Sequence, residues 1–435
     1  YNAQWQQTSV SDADAGNYSS EYNALGELLY SIDPRNHRYD FTYDALGRIK
    51  TRSLAGGGDA TEWFYDPAGN LGALDKVHHN GQDAETYSYD ALGRVQSSTQ
   101  YTYGPQNKTF TFGYSYDNLS RLSQISYPGT YKVDYAYDNY GYLSTVTDNK
   151  GSFSWSNPVY NDLGQLRGYN LGNGLSANYT YDAHFRLDKM NTTLGGTNVF
   201  NWDYDFNTKG NLTFRHDIAN GPNETFNFDN MNRLTNSTAG PNVAYGSNTN
   251  ISAKSDIGTY QYNHAVSAHK LTGIDASSTS YRVPDHQVDF NSFNKVSNIS
   301  TTQGSDALDA TFTYSYNRSR SVMQVLKNNV VDYTKYYAGK LYEEKVDGSG
   351  TTKYHYVYVQ GRMMGLYIDN HTVTDEKYYV HTDYLGSVTG LTDQNGSIVE
   401  EYAYDAWGRR RNPYYWQHSD TRTSHIIDRG YTGHE

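Results

Sequence analysis

Cysteine is absent from the 435-residue chain, which removes disulfides and thiolate metal sites and leaves the redox compartment open. No apolar run approaches the roughly 20 residues that a membrane-spanning helix needs. No dense run of Lys and Arg follows a phosphate backbone, and the formal net charge is −12, so nucleic acid is not expected as a ligand. A sustained i, i+3, i+4, i+7 apolar pattern is also missing, which argues against a helical architecture. The chain opens on Tyr1-Asn2-Ala3-Gln4 without an initiator Met or a basic-then-apolar leader, and is expected to be a processed or excised piece of something longer. Phe (14) and Met (5) are scarce, whereas Tyr occurs 46 times and Gly 39 times. Aromatics with β preference, broken by Gly, Asn and Asp, point to many short strands joined by tight turns.

What is present is a repeat. Tyr43-Asp44-Ala45-Leu46-Gly47-Arg48-Ile49 returns as Tyr65-Asp66-Pro67-Ala68-Gly69-Asn70-Leu71 and as Tyr89-Asp90-Ala91-Leu92-Gly93-Arg94-Val95. Further copies start at Tyr22, Tyr116, Tyr137 (with Asp138 and Gly141), Tyr160, Tyr181, Phe206, Phe228, Phe290, Tyr316 and Tyr404 (with Asp405 and Gly408). Spacing is mostly 21 to 25 residues as far as Phe228 and looser afterwards. A second aromatic usually stands two residues before the first, as at Phe41, Trp63 and Tyr87, which puts both rings on one strand face. The Asp opens a turn by bonding nearby backbone N–H groups, and the Gly four residues after the aromatic supplies a positive φ. Asn232 and Asn294 replace that Gly with the next best residue for left-handed geometry. Ser120, Phe185 and Arg320 do not fit, and their turns are expected to differ. Each copy is thus a β-hairpin, marginal alone and stable when stacked, which predicts an all-β wound sheet of hairpins.

Three segments follow from the pattern: regular repeats over 1–239, degenerate repeats over 240–332, and a differently organised block over 333–435. In the middle segment, Ser247 to Lys254 reads as a longer loop or irregular unit. The last block carries His381-Thr382-Asp383-Tyr384-Leu385-Gly386-Ser387, then Tyr404-Asp405-Ala406-Trp407-Gly408-Arg409-Arg410, and finally Arg429-Gly430-Tyr431-Thr432-Gly433-His434-Glu435.

Candidate chemistry is thin. Adjacent His78 and His79 point to opposite strand faces and read as surface loop rather than a metal pair. His381 and Asp383 share a face if extended; a turn-fixing hydrogen bond before Leu385-Gly386 is preferred to a catalytic or metal role. Glu343, Glu344, Glu400 and Glu401 are expected on a solvated face, not as glycosidase carboxylates. Gly56-Gly57-Gly58-Asp59 lacks the following Lys-Ser/Thr of a phosphate cradle and reads as a loop. The tyrosine ladder reads as inter-hairpin packing in preference to a stacking surface for sugars or unfolded polypeptide. No catalytic, cofactor or metal residue is therefore assigned.

The repeats and the terminal block resemble YD repeats followed by an RHS-associated core domain, on the H-T-D-x-L-G-S, Y-D-x-x-G-R-R and R-G-Y-T-G-H-E signatures. The resemblance implies a hollow β-cocoon that encapsulates a C-terminal toxin domain, with delivery by a bacterial secretion system or presence at the cell surface. It also implies a second shell component or a secretion spike as partner. The core signature residues it marks are His381, Asp383, Leu385, Gly386, Arg429, Gly430, Gly433 and Glu435. The family's aspartyl autoprotease uses paired D-P-x-G motifs. Asp66-Pro67-Ala68-Gly69 matches the letters inside an ordinary repeat, so that dyad is expected beyond Glu435 and no enzyme within this chain. A competing reading is an extended adhesin or carbohydrate-binding array; a third is an enzyme hidden in the core block.

Overall fold

The computed structural model describes residues 1–263, 269, 271–276, 287–370 and 374–434. Antiparallel strands linked by tight turns dominate them, the all-β array of hairpins that the repeat predicts. The chain divides into two compact units. The first comprises Tyr1–Tyr114, Ser247–Asn250 and Thr259–Thr351; the second comprises Ser115–Gly246, Ile251–Gly258 and Thr352–Glu435.

In the first unit an N-terminal meander runs from Ser9–Asp12 to Lys108–Tyr116, the last two residues of which fall to the second unit. Each strand is antiparallel to its successor. A C-terminal meander runs likewise from Gln287–Phe290 to Tyr342–Asp347. Every hairpin has a repeat-turn end and an opposite end. The repeat-turn ends of the C-terminal meander sit on the opposite ends of the N-terminal one. Tyr39 Oη lies 2.9 Å from Ser292 Oγ, Arg52 donates to the Tyr316 carbonyl at 2.8 Å, and Gln100 donates to the Tyr337 carbonyl at 2.8 Å. Phe110 meets Tyr342 edge-on at 5.5 Å, and Val77, Phe110, Val322, Tyr336 and Tyr342 are buried there.

The second unit repeats the plan with one more layer. Its N-terminal meander runs from Leu122–Ser126 to Leu234–Ser237, and its C-terminal meander from Gly350–Val359 to Ile398–Glu401. One face of the C-terminal meander carries Tyr367, Tyr379 and His381, whose rings pack on Tyr131, Phe153 and Phe200 at 4.9, 5.4 and 4.4 Å. The other face carries Leu366, Ile368, Val380, Val388 and Leu391, closed over by Tyr402, Tyr404 and Ile427. A sheet covered on both sides must be apolar or internally satisfied on both, and all of Val388–Thr392 is buried. Where a sheet face stays open, cross-strand pairs of small polar side chains line it: Thr42 with Thr51, Ser88 with Ser97, Thr99 with Thr111, Asn227 with Asn236.

Several expectations need correcting. Ser120 (φ 62°) and Phe185 (φ 63°) occupy the left-handed position without altering the turn; their N–H groups donate to Asp117 and Asp182 carbonyls at 3.0 and 2.9 Å, as Gly47 does to Asp44. The carboxylate described below holds the backbone firmly enough to carry the roughly 1–2 kcal/mol that a side chain costs there. The copy placed at Tyr316 starts at Tyr314, which pairs with Arg320, and Arg318 (φ 63°) takes the glycine position. Tyr245 begins a copy that runs into the stretch read as irregular, pairing with Ile251 around Thr249 (φ 68°). The turn at Tyr65 is longer than the motif implies: Tyr65 pairs with Leu74, whereas Tyr43 pairs with Ile49, and Asp66 itself has φ 64°. His78 and His79 lie in the strand Leu74–His79, not in a loop.

Gly365 packs so closely on Phe153 that an added Cβ would stand 2.6 Å from the ring. Its φ is not left-handed, so the constraint is steric alone. Gly365→Ala is expected to destabilise the fold by about 1–3 kcal/mol in urea denaturation, whereas Gly348→Ala, with nothing within 4 Å of the new atom, should be near neutral.

Candidate functional site

The repeat turn is a small electrostatic device. Asp44 Oδ1 accepts the N–H groups of Leu46 and Arg48, both at 2.9 Å, and Asp44 Oδ2 accepts Arg48 Nε at 2.7 Å. Gly47 (φ 76°) closes the turn onto the Asp44 carbonyl. Asp90, Asp117, Asp182 and Asp229 repeat this with Arg94, Arg121, Arg186 and Arg233. Asp138 keeps the backbone bonds with Gly141 at φ 92°, but Tyr142 takes the Arg place. At Asp182 partial burial alone would raise the carboxyl pKa; the Arg186 side chain and the backbone N–H groups of Arg186 and His184 outweigh it and hold it at about 2.

Four of these arginines, Arg48, Arg121, Arg186 and Arg233, then reach the next hairpin. Arg48 lies over the Tyr65 ring at 4.3 Å and bonds Asp66 through both Nη atoms at 2.9 and 2.7 Å. Arg121 covers Tyr137 at 4.4 Å, Arg186 covers Phe206 at 5.1 Å, and Arg233 covers Tyr245 at 4.2 Å. The covered tyrosine returns the link, donating from its hydroxyl to the carbonyl just after the preceding arginine: Tyr137 to Leu122 at 2.9 Å, Tyr245 to Leu234 at 2.9 Å. The hydroxyls of Tyr89 and Tyr181 make the equivalent bond to the Leu74 and Leu166 carbonyls at 2.6 and 2.8 Å, although Ala73 and Gln165 stand there in place of the arginine. The turn residues named from the sequence are thus rungs of a ladder, except that Gly69 (φ 85°) belongs to the longer loop, whose Gly72 N–H reaches Asp66 at 2.6 Å.

The terminal block folds back on itself. Asp383 Oδ1 accepts the N–H groups of Leu385 and Ser387 at 2.9 and 2.8 Å, with Gly386 at φ 86°. Burial raises the Asp383 carboxyl pKa against those bonds. His381 does not join Asp383; it bonds Thr392 Oγ1 at 2.9 Å against the Phe200 ring, and burial pushes its pKa down to about 3. Arg429 lies 3.8 Å over Tyr356 and donates to Tyr358 Oη at 2.9 Å. The Gly430 carbonyl accepts the Val388 N–H at 3.1 Å, Gly433 (φ 74°) closes onto the same carbonyl, and Thr432 N–H donates to Ser387 Oγ at 3.1 Å. Tyr404 leaves no room for a side chain at Gly430, nor Tyr431 at Gly408, beside the Asp405–Arg409 pair (3.1 Å). Glu435 lies outside the described residues.

A buried ion cluster was not foreseen. Glu224, fully buried, receives Arg215 at 2.6 Å, Arg411, and Ser237 Oγ at 2.6 Å; Arg215 also donates to the Tyr404 carbonyl at 2.7 Å. Burial opposes its ionisation, yet the two guanidinium groups bring its pKa down to about 2. The signal was available: Glu224 stands two before Phe226 and so shares the inward face. The four glutamates assigned to a solvated face need the same correction. Glu343, Glu344 and Glu401 are buried. Glu344 holds Lys108 at 2.8 Å and Tyr342 Oη at 2.8 Å; Glu401 accepts Asn220 at 2.7 Å; half-buried Glu400 holds His425 and the Ile426 N–H, each at 2.9 Å. Asp217, bonded to the same Asn220 at 2.9 Å, is raised to about 6 by burial. These groups satisfy one another, and among the described residues no group of three or more His, Asp or Glu is arranged to hold a metal.

A family model described as "Teneurin YD-shell" matches residues 6–356. The tRNA3(Ser)-specific nuclease WapA of Bacillus spizizenii is 23% identical over 393 residues, 89% of this chain and 12% of that protein. Teneurin-m of Drosophila melanogaster is 22% identical over 427 residues, 89% of this chain and 14% of its own length. The chain therefore spans only a small part of those relatives. Among solved structures, the TcdB2-TccC3-TEV crystal structure superposes with a TM-score of 0.79 at 14% identity, covering 98% of this chain and 25% of that one. The Tc holotoxin pore of Photorhabdus luminescens gives 0.66 at 14% identity, covering 96% and 27%. At such identity the likeness is one of fold.

Two measurements follow. Glu224→Gln leaves Arg215 and Arg411 facing each other in a dry site and is expected to cost about 3–5 kcal/mol in chemical denaturation. His381 is held neutral when folded, so the unfolded chain takes up its proton first: stability is intact above pH about 6.5 and falls toward pH about 3, by about 1.4 kcal/mol per pH unit. Asp217 works the opposite way between about 6 and 4. Comparing urea midpoints of wild type and His381→Gln across that range isolates the histidine, and the variant should show the flatter acid limb.

Proposed function

The chain belongs to the teneurin YD-shell family of RHS/YD-repeat proteins, and from that premise we propose that it is a stretch of shell wall that encloses a C-terminal effector domain until delivery. The observation that carries the reading is the hairpin-to-hairpin ladder. A wall has to stay continuous over a long distance without one central core, and the Asp–Arg–Tyr links supply cohesion locally at each step. We take 1–239 and 240–332 as wall and 333–435 as the core segment that turns inward. The core residues His381, Asp383, Leu385, Gly386, Arg429, Gly430 and Gly433 act as structural clasps fixing where the chain continues. Partners are then the effector that follows in the parent protein and a second shell component or secretion spike; the protein works secreted or delivered out of its cell. The nuclease in WapA's name is that protein's; here we place any such activity in the continuation, not in the wall. The adhesin alternative would need free tyrosine faces, and the bonded hydroxyls of Tyr89, Tyr137, Tyr181 and Tyr245 favour the wall.

The test is protease protection in the full-length protein. The segment after Glu435 should resist trypsin while the shell is folded and become susceptible at the denaturant concentration that unfolds it. Digestion of that segment at the same rate in native and unfolded protein would sink the proposal.

A further inference from the structure

A cavity lies inside the second unit, between the inward faces of its N-terminal and C-terminal meanders. One wall is built by Tyr169, Tyr179, Met190, Phe200 and Trp202, on four successive strands of the N-terminal meander. Register brings them together: Tyr179 pairs with Met190 and Met190 with Trp202, so their side chains share a face. The facing wall begins at the strand Arg362–Asn370. Tyr358 pairs with Met363 and Val357 with Gly365, which makes Met364 the extra residue of a bulge. Met363 and Met364 are consequently both buried, and Arg362 lines the same cavity. The turn before Arg362 is pinned by Gln360, whose amide donates to Tyr160 Oη.

Arg362 brings a charge that these walls do not answer. No Asp or Glu lines the cavity among the described residues, and Arg362 Nη1 is buried without a hydrogen-bond partner among them. Trp202 Nε1 is buried without such a partner too. Tyr169 Oη and Tyr179 Oη lie 2.8 Å apart. Burial keeps both phenols protonated, and the bond between them uses one of their two protons, leaving the other to donate. The site is therefore rich in donors around a cation. A buried guanidinium needs an acceptor, and a negative one offsets its charge as well. Size sets the class of ligand: about 20 Å³ is open to a water-sized sphere, room for one monatomic ion and not for a phosphate or a carboxylate-bearing molecule. A halide accepts from every donor present and has no protons of its own to place, whereas a water has two.

We propose that this cavity is a halide-binding site, in which one chloride ion accepts from Arg362 Nη1 and from the free hydroxyl proton of the Tyr169–Tyr179 pair. The cation comes from one meander and the hydroxyl from the other, so the site exists only when the two are packed together. Chloride then binds the folded unit alone and stabilises it by mass action.

Urea denaturation of the chain at neutral pH, in sodium chloride or sodium gluconate at one ionic strength, tests it. Once chloride exceeds its dissociation constant, each tenfold rise should increase the folding equilibrium constant about tenfold. Arg362→Met should remove that dependence. Tyr169→Phe with Tyr179→Phe, which leaves neither hydroxyl unpaired, should raise the chloride concentration needed by roughly tenfold. Crystals grown in sodium bromide should show an anomalous peak in the cavity at hydrogen-bond distance from Arg362 Nη1. Equal stability in chloride and gluconate, or a chloride dependence that Arg362→Met leaves intact, would overturn the proposal. So would a cavity without bromide, or bromide bound there with no chloride dependence in solution, which is an adventitious ion only. If Arg362→Met fails to fold, the double tyrosine variant and the bromide peak decide in its place.

Discussion

A carboxylate that accepts two backbone N–H groups of its own turn is the interaction on which the rest depends. It fixes a tight turn where the sequence offers glycine, asparagine, serine or phenylalanine at the left-handed position. It also anchors an arginine whose plane covers the next aromatic ring. Because a guanidinium is planar and weakly hydrated, it can pair with the carboxylate at its edge and lie on a ring with its face. One side chain thereby joins two hairpins, and the next tyrosine closes the loop through its hydroxyl. Phenylalanine at that place, as in Phe206, keeps the ring contact and loses the return bond. That difference accounts for the dominance of tyrosine.

The two units use this ladder in different surroundings. In the first, rows of hairpins meet through their ends. In the second, the C-terminal meander is covered on both faces, and buried polar groups become frequent: His381 on Thr392, Asn220 between Asp217 and Glu401, Glu224 between two arginines. Asn220 and Glu224 find partners far away in sequence, Glu401 and Arg411, whereas His381 bonds across to the adjacent strand. A buried charge with such a partner contributes specificity of alignment as much as stability.

Local chemistry made most of the fold legible. The period-2 aromatics and the Tyr-Asp-x-x-Gly spacing act within a few residues, so strands, turns and their succession could be read directly. Three kinds of feature could not. Turn register at Tyr314 was obscured because Tyr314 and Tyr316 both offer an aromatic, and only pairing with Arg320 decides between them. The longer turn after Tyr65 depends on a positive φ at Asp66 that nothing in its motif announces. The burial of Glu344 and Glu401 depends on Lys108 and Asn220, far removed in the chain, and a run of adjacent acids looks like a wet surface until those partners are known. For the terminal block, the residues bearing the signature were visible, but their partners Thr392, Tyr356 and Tyr358 were not.

The opposite ends of the N-terminal hairpins find their cover late. Tyr39 waits for Ser292, Arg52 for Tyr316, Gln100 for Tyr337, and in the other unit Glu224 waits for Arg411. During synthesis, each ladder rung can form as soon as the next hairpin emerges, since its contacts are local. The covering contacts cannot form until a couple of hundred more residues have been made. A nascent chain therefore passes through a long interval as a string of formed hairpins with bare ends and a Glu224 countered by Arg215 alone. Contacts of such wide sequence separation form slowly, and it is in that interval, more than in the finished fold, that the chain is open to pairing with the wrong neighbour.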